Sequence, residues 1–488
     1  MLQRAAQWRL LAIAGGATLL ILYLYGLDRM GLYSADEPRY ASIGREMART
    51  GDYITPRLWG EGWFEKPALL YWMIAAGFRA GLSNDLAPRV PIALFSVAFL
   101  IAFFCMLRRE FGTVAAAYST VILATAGGWI TYSQLAVTDV PMSALFALAL
   151  LFTLPWLRTG LRTGDRRWLN AAAVALGLAF LAKSTPPLIL ALPALWFGRD
   201  RWRDLFRPGP VLLFLLVAAP WHIACAMRNG PIFLRTLFVL QQFQRFISPG
   251  LQHVQRWWFY IPILPAIFFP WTPVLALLVR RELYSDKRLQ FLLAVAAWGF
   301  VFFSASTNKL PGYLLPLMPP LAVVAGVALE RAQLAGRIVI GLSALACCAF
   351  PVLVMTLPTL MSKDPKAAFP TVPVSLAGVA LLSAAAVFFI RSRPASIALV
   401  AILAAAGYLW IKVETFPYID AAATARPIAR QIQPAGIPVC VKKDVPRDWR
   451  YGLNYYTETP LPDCGNNPAP RGFVYYRDHR LLAQLPRP

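Results

Sequence analysis

The sequence predicts an all-α polytopic membrane protein, and two observations carry that expectation. The first is composition: 58% of the 488 residues are hydrophobic and only 15% are charged, where a soluble domain has about half and about a quarter. The second is patterning, because apolar runs long enough to cross roughly 30 Å of hydrocarbon recur along most of the chain. A mean hydropathy of +0.54 fits a chain whose solvent is the bilayer.

Counted between charged connections, the apolar runs give about thirteen transmembrane helices. They lie near 10–27, 86–108, 113–133, 138–158, 167–184, 186–198, 209–227, 257–279, 288–306, 312–329, 335–357, 373–391 and 394–412. The run at 186–198 is short and suits a tilted or re-entrant piece. The first run has the basic start of a secretory signal, but it is long and no small-x-small site closes it. It is read as a span.

Basic residues set the orientation. Arg4 and Arg9 precede the first span, and Arg108/Arg109, Arg158/Arg162/Arg166/Arg167, Arg199/Arg201/Arg203/Arg207, Arg280/Arg281/Lys287/Arg288, Arg331/Arg337 and Arg391/Arg393 fill every second connection after it. Lys and Arg collect in cytoplasmic loops, so the N-terminus is expected in the cytoplasm and the C-terminal tail in the periplasm of a bacterial inner membrane. The net charge of +23 then reflects topology and contact with phosphate-bearing lipid. It implies no nucleic-acid partner, as it would in a soluble protein.

Polar residues gather outside the spans. Three external connections are long: 28–85, 228–256 and the tail from about 413. Two short ones hold a lysine beside proline, Lys183 before Pro186-Pro187 and Lys309 before Pro311. The spans carry almost no ionisable residue. A transporter or lipid-linked-sugar flippase needs polar sites near the midplane, so that class is disfavoured. Of the cysteines, Cys105, Cys225, Cys347 and Cys348 read as small apolar residues. Cys440 and Cys464 are available for one disulfide if the tail is extracytoplasmic.

Loop 28–85 is patterned as structure. Ser34-Ala35-Asp36-Glu37 fits a capping box. After it Tyr40, Ile43 and Met47 recur at helical spacing opposite Arg39, Arg45, Glu46 and Arg49, which predicts an amphipathic juxtamembrane helix lying in the membrane plane. A second, more apolar helix is expected at 66–78. The tail predicts a small α/β unit, with strands at 437–441 and 473–476 and a helix at 421–432. The division is therefore a membrane catalytic domain, 1–412, and an accessory periplasmic domain, 413–488.

Loop 28–85 also carries motifs. Asp36-Glu37-Pro38-Arg39-Tyr40-Ala41, Arg45-Glu46-Met47, Gly51-Asp52-Tyr53, Pro56-Arg57-Leu58 and Phe64-Glu65-Lys66-Pro67 resemble the first external loop of bacterial lipid A aminoarabinose transferases. These are grouped with the protein O-mannosyltransferases in the GT-C superfamily of integral-membrane glycosyltransferases. The likeness continues through Thr138-Asp139-Val140-Pro141-Met142, Gln244-Arg245-Phe246, Trp257-Trp258-Phe259-Tyr260 and Lys309-Leu310-Pro311-Gly312-Tyr313. It implies a GT-C fold, a polyprenyl-phosphate sugar donor, an envelope acceptor and inverting transfer.

The resemblance implies Asp36 as catalytic centre, Asp139 as a second acidic residue, and Lys66 and Tyr313 as phosphate ligands with Arg245 beside them. One position departs. The aminoarabinose enzymes pair the glutamate matching Glu65 with a histidine at a metal, and this chain has Gln242 there, so metal binding and the identity of the sugar are both left open.

The residues themselves make that chemistry reasonable. A phosphate leaving group needs no protonating acid, so the paired carboxylates of a glycoside hydrolase are not required. It needs cations where charge develops, as Lys66, Arg245 and Lys309 supply. A hydroxyl acceptor needs one general base, Asp36; an acceptor phosphate is already ionised, and Asp36 then orients groups. Glu37, Arg39, Tyr40, Glu65 and His253 complete the expected substrate-binding set. Each has a plainer role available: Asp36 or Asp139 as a helix cap, Glu65–Lys66 as a surface ion pair, Lys309 as a snorkelling lysine, Arg39 and Tyr40 as helix anchors. Lipid A is the expected acceptor, with a protein Ser/Thr hydroxyl or another envelope glycan as the alternative.

Overall fold

The computed structural model describes residues 15–159, 166–244, 254–433, 438–465 and 472–485. Each of the thirteen predicted apolar runs contains helix, beginning with Gly15–Leu24 and ending with the helix that starts at Arg393. Among the described residues seven helices are long and apolar enough to cross a membrane unaided. Trp257–Ile267 and Thr272–Val279 form a further pair bent by 112°. The chain is a multi-pass membrane protein.

The bundle is organised around Pro311–Arg331, whose apolar window is 94% buried, against 28% for the peripheral Pro208–Asn229. Met318–Arg331 packs on Thr113–Ala124, Asp139–Thr159 on Arg166–Lys183, and Pro208–Asn229 on the far side of that last helix. Without a hydrophobic drive between helices in lipid, close approach of small residues takes over. Gly326 shows it: a Cβ there would lie 2.1 Å from Ser119 Oγ, so any side chain would prise the two helices apart. The last long span runs from Arg393 to Ala423, with a π-helical stretch at Ile411–Thr415 where it leaves the bundle for the tail.

The tail is an α/β unit, as its sequence pattern predicts. Val439–Val441 pairs in parallel with Gly472–Arg477, which pairs antiparallel with Arg480–Gln484. The helix expected over 421–432 is two helices, Phe416–Ala423 and Arg426–Ile432, because Thr424 is extended and Pro427 opens the second. A helix not anticipated from sequence, Arg447–Tyr456, covers the first loop. Cys440 and Cys464 are disulfide-bonded.

The first loop and the tail are stitched together. Arg426 donates to Asp85 and Asp420 at 2.8 Å each and to the carbonyls of Asp28 and Arg29. The Tyr456 hydroxyl donates to Asp85 at 2.6 Å and accepts from the Leu32 N–H. Arg45 donates to the Tyr455 carbonyl at 2.9 Å. This changes the expected setting of the loop helix, Asp36–Thr50. Most of its arginine face is not presented to water: Arg39 and Arg45 are both buried beneath the tail, while Arg49 stays exposed.

Candidate active site

The loop helix places the first group of side chains. Asp36 and Glu37 occupy its first turn, where the helix dipole favours negative charge, and Gly51 at φ 75° ends it with an N–H returned to the Met47 carbonyl. The expected capping box does not form. Ala35 stands at the N-cap with no side-chain bond, and Ser34 sits at φ 64°.

Glu37 is taken by stronger partners. Arg89 donates to Glu37 Oε1 at 2.6 Å and to Oε2 at 2.7 Å, while the Ala136 and Tyr33 N–H groups reach the same carboxylate. Arg89 spends its remaining donors on the carbonyls of Leu27, Met30 and Gly31. The expectation that Glu37 binds substrate is therefore corrected: it is 1% exposed with both oxygens engaged inside the protein. A buried carboxylate is held charged only by such pairing.

Asp36 faces the other way, with a side chain 40% exposed. Arg39 forms ion pairs with it and, at 3.2 Å, with Glu65 Oε2. The Arg39 guanidinium also lies over the rings of Tyr40, Trp63 and Tyr451 at 5.3, 5.5 and 5.5 Å. Tyr40 packs against Tyr71 at 5.8 Å between centroids. Burial and then the nearby Asp36 charge push the Tyr40 hydroxyl far above its usual range, and burial with Glu65 does the same to Tyr71. Both are therefore neutral phenols at any physiological pH. Lys66 is buried beside Glu65.

A second group gathers on different elements. Asp139 begins the helix Asp139–Thr159, and Lys183, the last residue of Arg166–Lys183, donates to Asp139 Oδ1 at 2.7 Å. The same ammonium lies 4.8 Å from the centre of the Tyr313 ring. Gly312 makes this possible, since a Cβ there would stand 2.6 Å from Tyr132 and 3.0 Å from Asp139 Oδ1. Tyr132 packs against Gly312 beside this second group. Lys309 is buried and donates to the backbone carbonyls of Gln255 and Ser306, and that burial lowers its pKa.

Arg245 and His253 lie outside the described residues, as does the side chain of Gln242. The metal implied by the resemblance does not fit what is described. Glu65, its carboxylate ligand, is held by Arg39, and among the described residues no three His, Cys, Asp or Glu side chains converge to hold an ion.

Sequence reasoning missed Tyr132, Trp63 and Tyr451 and gave Lys183 no part in the site. Lys183 had a visible signal, a lysine beside a proline pair at a span end. Tyr451 had none, being a tail residue brought to the loop by packing.

Residues 65–223 match the family described as dolichyl-phosphate-mannose-protein mannosyltransferase. The undecaprenyl phosphate-alpha-4-amino-4-deoxy-L-arabinose arabinosyl transferase of Pseudomonas aeruginosa (strain UCBPP-PA14) is 31% identical over 344 residues, 68% of this chain and 61% of that protein. Its counterpart in Edwardsiella ictaluri is 33% identical over 339 residues, 65% of this chain and 60% of that protein. The chain thus spans about three fifths of the length of these relatives. In structure, ArnT from Cupriavidus metallidurans bound to undecaprenyl phosphate superposes with a TM-score of 0.78 at 23% identity, over 98% of each chain. The archaeal oligosaccharyltransferase AglB from Archaeoglobus fulgidus superposes at 0.53 with 12% identity, over 94% of this chain and 64% of that one. These two superpositions establish the fold.

Proposed function

Starting from a chain that has the GT-C fold and resembles the undecaprenyl phosphate-aminoarabinose arabinosyl transferases, we propose an inverting glycosyltransferase. It moves a sugar from a polyprenyl phosphate to lipid A at the periplasmic face of the inner membrane. The observation that carries this reading is the half-exposed Asp36, held by Arg39 beside Glu65, together with the Asp139–Lys183–Tyr313 group.

In the reaction, the bond between the sugar C1 and the carrier phosphate oxygen breaks, and its electron pair stays on the phosphate. An acceptor oxygen forms the new bond to C1 from the opposite face. Lys66, Tyr313 and Arg245 hold the departing phosphate, with Lys309 and Lys183 adding positive charge nearby. With a phosphate acceptor no proton moves and Asp36 orients the incoming group; with a hydroxyl acceptor Asp36 takes the proton. Residues 1–412 would form the membrane catalytic domain and 413–488 the periplasmic one. The Cys440–Cys464 bond supports that side of the membrane, since disulfides persist in oxidising compartments.

One observation favours a second reading, transfer to a protein hydroxyl: the match of residues 65–223 to the protein mannosyltransferase family. Purified protein supplied with radiolabelled polyprenyl-phosphate sugars and either lipid A or envelope proteins separates the two by which fraction becomes labelled. Asp36→Asn is expected to lower transfer at least about a hundredfold. Undiminished transfer by that variant would remove Asp36 from its role.

A further inference from the structure

We propose that Trp59, Trp63 and Tyr451 form a saccharide subsite for the acceptor, with Arg447 at its rim to meet a phosphate on that saccharide. The inference deepens the transferase reading and rests on it.

Trp59 is where the chain departs from local preference. Arg57–Leu58 pairs with Glu61–Gly62 through a two-residue turn, Trp59-Gly60, with φ of 54° and 88°. Such turns favour Asn, Asp or Gly at the first position, and a large aromatic residue there is strained. Strain of this kind persists where surrounding contacts dictate it, and it clusters at ligand sites. Here the contact is Tyr451 of the tail helix, whose ring lies 5.7 Å from that of Trp59 at an interplanar angle of 31°. Tyr451 also lies over Arg39 at 5.5 Å and beneath Arg447 at 5.1 Å, and its hydroxyl accepts from Arg447 Nε at 2.9 Å. Trp63 completes the wall over Arg39.

A purely structural clasp would bury these rings and satisfy their polar atoms. All three residues are instead half-buried. The indole N–H groups of Trp59 and Trp63 and the Nε of Arg39, a side chain 6% exposed, are buried atoms with no hydrogen-bond partner among the described residues. The clasp between loop and tail is already made elsewhere, by Arg426, Tyr456 and Arg45. Partly exposed Trp and Tyr rings offer an apolar face with polar edges, which suits the C–H face and hydroxyls of a sugar ring. Arg447 is exposed above them, and a guanidinium in that position matches a phosphate bidentately. Arg39 then spans the gap, with the aromatic wall on one side and Asp36 and Glu65 on the other.

The test uses the full chain in nanodiscs, with native mass spectrometry of lipid A binding in the absence of donor, of undecaprenyl phosphate binding, and steady-state transfer. Tyr451→Ala is expected to weaken lipid A binding and raise the acceptor KM about tenfold, leaving undecaprenyl phosphate binding unchanged, with Tyr451→Phe close to wild type. Trp59→Gly removes the strained φ, so it should melt no lower than wild type while binding lipid A more weakly. A lower melting temperature in Trp59→Gly with lipid A binding intact would make the cluster a structural clasp and overturn the proposal. Unchanged lipid A binding in both Tyr451→Ala and Trp59→Gly, or no lipid A binding by the wild type, would also overturn it. Wild-type lipid A binding that Trp59→Gly weakens, in a protein that transfers no sugar, would sink the transferase reading and keep the subsite.

Discussion

Asp36 and Glu37 are adjacent in the chain and belong to two regions built on opposite principles. Around Glu37 every charge is spent: its carboxylate meets Arg89 and two backbone N–H groups, and Arg89 meets three carbonyls besides. Around Asp36 the charges are gathered and left partly open, with a side chain 40% exposed and one arginine shared with Glu65. The first region is a knot that fixes the loop to the bundle. The second is a set of groups that still has capacity for a ligand. Because Glu37 also accepts from Ala136 N–H, three residues before Asp139, the knot sets the spacing between the two candidate acidic residues.

The largest expected effects come from exchanging the two kinds of damage. Arg89→Met leaves the Glu37 carboxylate buried without its cation, which should cost about 3–5 kcal/mol. Thermal melts followed by size-exclusion fluorescence should show that variant lost or strongly destabilised. Asp36→Asn gives up an ion pair whose carboxylate is half-exposed while Arg39 keeps Glu65, so it should cost no more than about 1 kcal/mol, while losing transfer. A stable Arg89→Met protein, or an unstable Asp36→Asn one, would break the contrast.

A smaller effect tests whether the Asp139 group acts as one unit. Lys183→Met removes a charge-assisted hydrogen bond of about 1.5–3 kcal/mol, or about 10–100-fold in kcat/KM. If the pair works together, the double variant Lys183→Met/Asp139→Asn should be little worse than the poorer single one. Multiplying losses would mean that each residue acts alone.

How much of this was legible beforehand divides along the same line. The helical runs, the loop helix and the tail strands follow from periodicity, a local signal. Asp36, Asp139, Lys66 and Tyr313 were named through motifs in order along the chain. Glu37 was read as a capping-box residue and as a substrate ligand, and only the arrival of Arg89, 52 positions away, takes its carboxylate for the fold. Tyr451 was invisible for the same reason on a larger scale, since nothing local in the tail says that its helix will cover the loop. Lys309 looked like a phosphate ligand from its Lys-Leu-Pro-Gly-Tyr motif, yet two of its donors serve carbonyls. Contacts set by tertiary packing leave no trace in a local pattern.

The smallest expected effect comes from a contact that also joins loop to tail but resembles neither region. Arg49, in the last turn of the loop helix, donates to Glu458 at 2.7 Å, with side chains 56% and 42% exposed. Solvent screens such a pair, so Glu458→Gln should cost only about 0.2–1 kcal/mol, less in high salt. The sign of its pH dependence follows from the hydrogen bond from Arg49, which holds the Glu458 carboxyl below its ordinary value against the opposing effect of burial. A carboxyl lowered in the folded state stabilises at pH above its unfolded value, about 4.3, and that contribution fades as pH falls through the lowered one. Melts of wild type and Glu458→Gln should therefore differ slightly at neutral pH and converge in acid. A cost approaching that of Arg89→Met would mean that exposure does not separate the contacts holding this loop, and the distinction between knot and open cluster would lose its physical basis.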